Sequence, residues 1–395
     1  MIKKASHEQT RLYNSQLVLK TIYSAGQISR AEVARATELT RPTVSDVVAE
    51  LLLQGLVREV GLAPSQGGKR PMMLSMVDDS RHLLGLDLGR EDFRGALINL
   101  RGVIQHRINV PRPDGNGDAA LAAVYDLVDA LFRATNRPLL GIGIGAPGLV
   151  DADNGVIYQA VNLNWQNVPL RELLEKRYGV PVYMANDCQV AALAEYTFGD
   201  GNHTVDLVVI HVGWGVGAGI VHNGRLLHGN PFGAGEIGHI ILPENHELCH
   251  CGRVGCLEAA VNTRAILREV RAAAQASPDF ARRLPVSPDV VTFDTVQAMF
   301  AAGDPTVQRI VGAVGRSLGI VTAYLVGILG GCRILIAGRL AGCGEFLLDA
   351  IRVEMAQRTL DSLAQNTEIG YVSLGADIVL RGASALLLHH ELGLF

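Results

Sequence analysis

Aromatic residues are scarce in this 395-residue sequence, at 5%, and charged residues make up only 19%. Neither shortage is that of an unfolded chain, because 48% of the residues are hydrophobic, enough to bury real cores in two or three domains of ordinary size. Long apolar runs are missing. The uncharged apolar stretch 317–332 is broken by Gly319, Gly327, Gly330 and Gly331 and falls short of the ~20 residues that a membrane span needs. Compositional runs of a fibrous protein are absent as well. Behind Lys3 and Lys4 there is no hydrophobic signal core, so the expectation is a soluble, cytoplasmic protein with no membrane partner. Cysteine is sparse too, six in all, but Cys249, Cys251 and Cys256 fall within eight residues. In a cytoplasmic chain such a cluster reads as metal-binding rather than disulfide-forming.

Charge is unevenly distributed. Residues 1–77 carry ten Lys or Arg against six acids, a net +4, which leaves −8 on the rest of a chain whose total is −4. A small basic segment on a larger acidic body fits a nucleic-acid-binding module joined to something else. The local pattern supports this. Asn14 is placed to cap a first helix carrying Leu17, Val18, Thr21 and Ile22 on one face, ending at Gly26. Ser29-Arg30-Ala31-Glu32 is a capping box for a short second helix. Thr40 caps a third, with Pro42 in the first turn and Val44, Val47, Val48, Leu51 and Leu52 forming one apolar stripe. The opposite face opens with Arg41, Thr43 and Ser45, short polar groups and one arginine as a recognition helix presents them to base edges. Two short strands around the loop ending Gly67-Gly68-Lys69-Arg70 make a wing, with Lys69 and Arg70 placed for phosphates or a minor groove. A winged helix serving only protein interaction is the competing reading.

From His82 the pattern turns to strands and glycine loops. The segment 83–89 enters a turn at Asp87-Leu88-Gly89 and 95–100 returns from it. The segment 207–213 leads into Gly215, Gly217 and Gly219, and 220–224 ends in the hairpin pair Asn223-Gly224. This internal duplication predicts two related α/β lobes. Between them, 182–187 is a strand ending in Asn186 and Asp187, polar groups of the kind that bind ligands at strand C-termini, although Asn186 could instead cap the helix that follows. Residues 275–305, with four prolines, look like a variable insertion.

The most specific local signal is Gly235-Glu236-Ile237-Gly238-His239 followed by Cys249-His250-Cys251-Gly252-Arg253-Val254-Gly255-Cys256-Leu257-Glu258. One histidine and three thiols supply four N/S ligands, a closed tetrahedral set for structural Zn2+. His250 competes with His239 as the fourth ligand, but it sits between two cysteines. Glu236 and Glu258 flank the cluster without being needed for it. Together with Asn186 and Asp187 they could accept hydrogen bonds from several sugar hydroxyls; surface ion pairs are the plainer role for the glutamates.

These residues resemble the ROK family, the repressors and sugar kinases of the actin-like sugar kinase fold, over the whole chain. The resemblance implies an α/β protein: a winged helix-turn-helix at 1–80, then a two-lobed actin-like (ribonuclease H-like, sugar kinase) ATPase-type fold. The first lobe would be 81–197 plus 380–395, and the second 198–379, with the zinc site and dimerisation helices. It implies zinc on His239, Cys249, Cys251 and Cys256, and a sugar held by Asn186, Asp187, Glu236, His239 and Glu258. In the family's kinases the aspartate matching Asp187 is the base that deprotonates the sugar hydroxyl.

Departures from the kinase pattern decide the branch. The phosphate loop Asp-x-Gly-Gly-Thr-Lys is here Asp87-Leu88-Gly89-Arg90-Glu91-Asp92; a carboxylate 4 Å from a phosphate charge costs ~1–4 kcal/mol. Trp214 stands in the second loop where the kinases carry a small polar residue. Ala337 and Arg339 surround Gly338 in the third. The expectation is therefore a non-enzymatic, sugar-responsive transcription factor, a repressor of carbohydrate uptake or catabolism genes. It would bind double-stranded operator DNA as a homodimer, with tetramers possible, and take a sugar or sugar phosphate as effector. A sugar-transport protein is a further possible partner, and a sugar kinase with a DNA-binding head is the rival.

Overall fold

The computed structural model describes residues 6–62, 70–113, 117–200, 206–230 and 232–394. Helices α1 (His7–Ala25), α2 (Arg30–Thr37) and α3 (Arg41–Leu53) precede a small sheet of β1 (Gln27–Ser29), β2 (Val57–Leu62) and β3 (Met72–Met76), in which β3 is central and both pairings are antiparallel. The caps of α2 and α3 are as expected: Ser29 and Glu32 close a reciprocal box, and Thr40 Oγ1 accepts from Thr43 N. Helix α1 starts earlier than Asn14. Ser6 caps it, with Gln9 returning the box, and Asn14 lies inside the helix. Val18, Leu19, Ile22, Val33, Val44, Val48 and Leu51 bury the helical faces against one another.

By contact density the chain forms two compact units, one of Met1–Gly148, Ala152–Ala185 and Ala383–Phe395, the other of Leu149–Asp151 and Asn186–Gly382. In the first, Arg101 joins the helical head to the sheet that follows: its Nη1 donates to the Tyr23 carbonyl at 2.8 Å, its Nε to Asp78 at 2.9 Å, and its guanidinium lies 4.0 Å from the Tyr23 ring centre. That sheet contains β4 (His82–Leu88), β5 (Asp92–Ile98), β6 (Ile104–Pro111) and β7 (Leu139–Ala146), with α4 (Gly117–Arg133) between the last two. Three short strands follow, β8 (Leu149–Asp151), β9 (Val156–Ala160) and β10 (Trp165–Val168), the last two paired antiparallel. Helix α5 (Leu170–Tyr178) then leads to β11 (Val182–Asn186). Every residue of β4 is buried, as expected for a central strand covered on both faces.

Besides β8, the second unit holds α6 (Asp187–Phe198) and a sheet of β12 (Asp206–Val212), β13 (Val216–His222), β14 (Arg225–Leu226), β15 (Arg333–Gly338) and β16 (Glu368–Tyr371). The two large sheets run β6-β5-β4-β7-β11 and β14-β13-β12-β15-β16. Each has an antiparallel three-strand meander followed by a strand parallel to its first member, so the duplication read from the sequence is present in the topology. Asn223 and Gly224 take φ of 51° and 72° in the β13–β14 turn.

Helices α7 (Leu257–Val261), α8 (Thr263–Ala276), α9 (Pro278–Arg283), α10 (Phe293–Ala301), α11 (Pro305–Leu329), α12 (Gly344–Ala356) and α13 (Asp361–Gln365) cover the second sheet, and α14 (Ile378–Leu392) ends the fold. In the segment 275–305, Phe280, Leu284, Val291, Phe293 and Val296 belong to the same buried core as Val208, Ile210 and Ile336. Pro278 and Pro305 begin helices rather than break them. Helix α11 is long and apolar enough to cross a membrane, but Val307, Ile310, Val311, Val314, Leu318 and Val321 bury its stripe in that core.

Candidate metal centre and ligand site

The sequence between β14 and α7 has almost no regular structure, and its shape comes from turns. Gly252 and Gly255 take φ of 85° and 93°, values an L side chain adopts only with strain. Cys249 N donates to the Arg253 carbonyl at 2.8 Å and Gly252 N to the Cys249 carbonyl at 2.9 Å, closing a tight knuckle. Asn245 Nδ2 ties the knuckle's end through the Cys256 carbonyl at 2.7 Å. This folding gathers one ligand atom each from His239, Cys249, Cys251 and Cys256, all within 4.8 Å of one another.

The spacings suit a tetrahedral ion. Cys251 Sγ and Cys256 Sγ are 3.6 Å apart, and Cys249 Sγ is 3.9 Å from His239 Nδ1; a tetrahedron with Zn–S near ~2.3 Å has edges of about 3.8 Å. Burial pushes the Cys249 and Cys256 thiols above their ordinary range. Two desolvated thiols beside a histidine gain from a cation that stabilises their thiolates. His250 is exposed and turned to Arg264, which leaves His239 as the nitrogen of the set.

His239 faces two ways. With Nδ1 on the thiols, its Nε2 lies 3.9 Å from Glu236 Oε2. Glu236 is held there by a close approach: Gly235, at φ 93°, packs so tightly that a Cβ would sit 1.8 Å from the Ala218 carbonyl oxygen. Burial raises the Glu236 carboxyl above its ordinary range, His239 opposes the rise, and Asp187 and Glu258 add to it. Asp187 and Glu258, the other two expected sugar-binding carboxylates, are thus each within electrostatic reach of Glu236. Asn186 also fills the plainer role of a helix cap. Its Oδ1 accepts from Cys188 N at 2.9 Å at the start of α6, beside Asp187 Oδ1 at 2.8 Å.

Glu258 has a role its spacing did not signal. Its Oε2 accepts the Val216 amide at 2.9 Å and its Oε1 lies 3.8 Å from Cys249 Sγ, so it links the thiol cluster to the glycine loop at 213–216. That loop is further closed by Gly213 N on the Gly215 carbonyl, by Thr263 on the Gly213 carbonyl and by Asn262 Nδ2 on the Trp214 carbonyl. Buried Gln189, one turn into α6, joins the His228 ring at 3.1 Å and reaches the Ala234 carbonyl at 3.4 Å, steadying the segment before Glu236. In the first unit, Asp87 is paired with Arg94, its register partner on β5. At the third loop, Arg339 pairs with Asp294 at 2.5 Å and receives Gln297 on its carbonyl at 2.9 Å.

On the helical head, Arg41 and Ser45 are exposed at the start of α3, and Thr43 Oγ1 lies 2.8 Å from Thr40 Oγ1. Arg70 is exposed just before β3; Lys69 lies outside the described residues. Arg11 and Arg30 are taken up by Glu50 and Glu59, each at 2.9 Å.

Comparison with known proteins agrees with this architecture. The ROK family model matches residues 83–390. A xylose repressor of Caldicellulosiruptor bescii is 30% identical over 387 residues, covering 97% of each chain. The DNA-binding transcriptional dual regulator NagC of Escherichia coli K12 is 32% identical over 393 residues, covering 96% of this chain and 95% of its own. A crystal structure of a ROK family transcriptional regulator, a homologue of the E. coli MLC protein, superposes with a TM-score of 0.86 at 28% identity over 98% of each chain. A ROK family glucokinase from Streptomyces griseus, in complex with glucose and AMPPNP, superposes with a TM-score of 0.69 at 28% identity, but over 77% of this chain and 98% of its own. The chain belongs to the ROK family.

Proposed function

We propose that this protein is a sugar-responsive transcriptional regulator that represses carbohydrate uptake or catabolism genes and is released from, or retuned on, its operator by a sugar or sugar phosphate. The observation that carries the reading is the difference in coverage. A regulator matches 98% of the chain whereas a glucokinase matches 77%, and the helical head lies before the matched family domain. Residues 1–80 are read as the DNA-binding domain, with Arg41, Thr43 and Ser45 at base edges and Lys69 and Arg70 on the backbone or minor groove. Operator symmetry then asks for a homodimer.

The effector is held by Asp187, Glu236, His239 and Glu258, with Asn186 fixing the start of α6. Carboxylates accept charge-assisted hydrogen bonds from hydroxyls, and His239 Nε2 supplies a nitrogen beside Glu236. His239, Cys249, Cys251 and Cys256 fit a structural Zn2+, which when bound would cross-link the knuckle to the turn carrying Glu236. Phosphoryl transfer is not part of this reading. The Val216 amide is committed to Glu258, Gly213 N to Gly215 and Asp87 to Arg94, which leaves the glycine loops poorly suited to cradle a triphosphate. An effector acts only through its different affinity for the two DNA-binding states.

The test is recovery of genomic DNA fragments by the purified protein, with and without a panel of sugars and sugar phosphates. Selective fragments released by one sugar are expected. Retention of no selective fragment under any condition overturns the reading.

A further inference from the structure

His250 lies between two of the clustered cysteines, so its backbone is held wherever Cys249 and Cys251 are held. Its Nε2 accepts from Arg264 Nη1, at the first turn of α8. The same guanidinium lies 5.5 Å from the centre of the Trp214 ring, within reach of a cation–π contact. Trp214 belongs to the glycine loop, where Asn262 holds its carbonyl at 3.2 Å. A second link runs alongside: Glu258, between Cys249 Sγ and the Val216 amide. Two connections therefore join the thiol cluster to the glycine loop, one through His250, Arg264 and Trp214 in series and one through a carboxylate.

We infer that Arg264 and Trp214 are positioning residues that couple occupancy of the metal centre to the conformation of the glycine loop. The inference rests on reading His239, Cys249, Cys251 and Cys256 as a metal site. Among the described residues the segment 242–256 has no helix or ladder beyond two isolated bridges, Ile241 to Cys256 and Leu248 to Val254, and is otherwise tied by single contacts such as Leu242 N on the Gly255 carbonyl at 2.8 Å and Asn245 Nδ2 on the Cys256 carbonyl at 2.7 Å, so ligation adds to its order. When the ligands part, His250 leaves Arg264, the guanidinium loses its acceptor, and the indole loses the cation over its face. Coupling is reciprocal: whatever the metal does for the stack, the stack does for retention of the metal.

The experiment follows zinc release from the loaded full-length protein into a coloured chelator while tryptophan emission is recorded. Emission is expected to shift as one equivalent of zinc leaves. Trp214→Phe abolishes that shift, because the other tryptophan, Trp165, is buried in the first unit with its indole N–H on the Gly117 carbonyl at 2.8 Å. Arg264→Ala reduces the shift and speeds release about two- to fivefold, the scale of one exposed cation–π contact; Arg264→Lys recovers part of both. A shift that persists in Trp214→Phe reports general unfolding and overturns the coupling, as do unchanged emission and release in Arg264→Ala. Zinc that leaves with emission that never moves overturns the coupling alone, and a protein that binds no zinc overturns the metal reading and the coupling with it.

Discussion

On the proposed DNA-binding reading, replacing Arg41 with alanine is expected to separate reading DNA from folding. Arg41 begins α3, is exposed, and makes no ion pair among the described residues, so its loss changes stability by no more than about 0.5 kcal/mol. A base-reading arginine contributes ~1–3 kcal/mol of discrimination, which corresponds to a loss of about 5- to 150-fold in affinity for the specific fragment. Arg11 is the internal control. It pairs with Glu50 at 2.9 Å, and Arg11→Ala is expected to leave specific affinity within about twofold, the scale of an exposed ion pair. Salt distinguishes the two kinds of contact, because each lost phosphate contact flattens the log–log salt slope by about 0.9, whereas a lost base contact leaves it nearly unchanged. The assay is fluorescence anisotropy with a fragment recovered from the genome and a scrambled duplex, at several salt concentrations. Equal weakening on both duplexes with a flatter slope would make Arg41 a phosphate contact and refute the base-reading role. Unchanged binding would remove α3 from the interface altogether.

Glu236→Gln is expected to abolish release of DNA by the sugar while leaving operator affinity nearly intact; equal loss of both would sink the two-module picture. Incubation with Mg-ATP and a hexose panel is expected to release no ADP above a protein-free control, and sugar-dependent release would restore the kinase rival. Asp304 caps α11 through Thr306 N and Val307 N at 2.9 and 3.2 Å and pairs with Arg283 at 2.7 Å. Burial pushes its carboxyl up, but Arg283 and the two amides outweigh that and hold it below its ordinary range. A depressed carboxyl stabilises the fold above its unfolded value, and the contribution is lost as pH falls through the folded one. Wild-type protein is therefore expected to melt above Asp304→Asn near neutral pH, and the gap to close on acidification below the ordinary carboxylate range; a gap independent of pH would contradict the assignment.

Local chemistry was legible wherever it is encoded within a few residues. Ser29 and Glu32, Thr40 and Pro42, and Asn223-Gly224 act on their own neighbours, and the structure has them doing so. The candidate metal cluster was legible for a similar reason, since three of its four residues lie on one short loop. The start of α1 was misplaced because its first two turns are exposed and carry no apolar stripe; only the Ser6–Gln9 box marks the true beginning. The role of Glu258 depends on Val216, far away in the chain, and the pairing of Asp87 with Arg94 depends on strand register. Neither can be counted off along a sequence. The buried contacts of 275–305 were not legible, because four prolines hide that Pro278, Pro288 and Pro305 each open a helical turn.

The central pairing of the second sheet has a kinetic consequence. Strand β12 meets β13 at once, but its other neighbour is β15, with Leu207 opposite Arg333. About 120 residues intervene, and at ~5–20 residues per second a ribosome needs roughly 6–25 s to make them. Throughout that interval the nascent chain presents β12, rich in Val and Ile, with one edge unpaired. The closure is long-range and slow by nature, so growth temperature and chaperone supply during synthesis are expected to govern the soluble yield of this protein more than the final strength of its core.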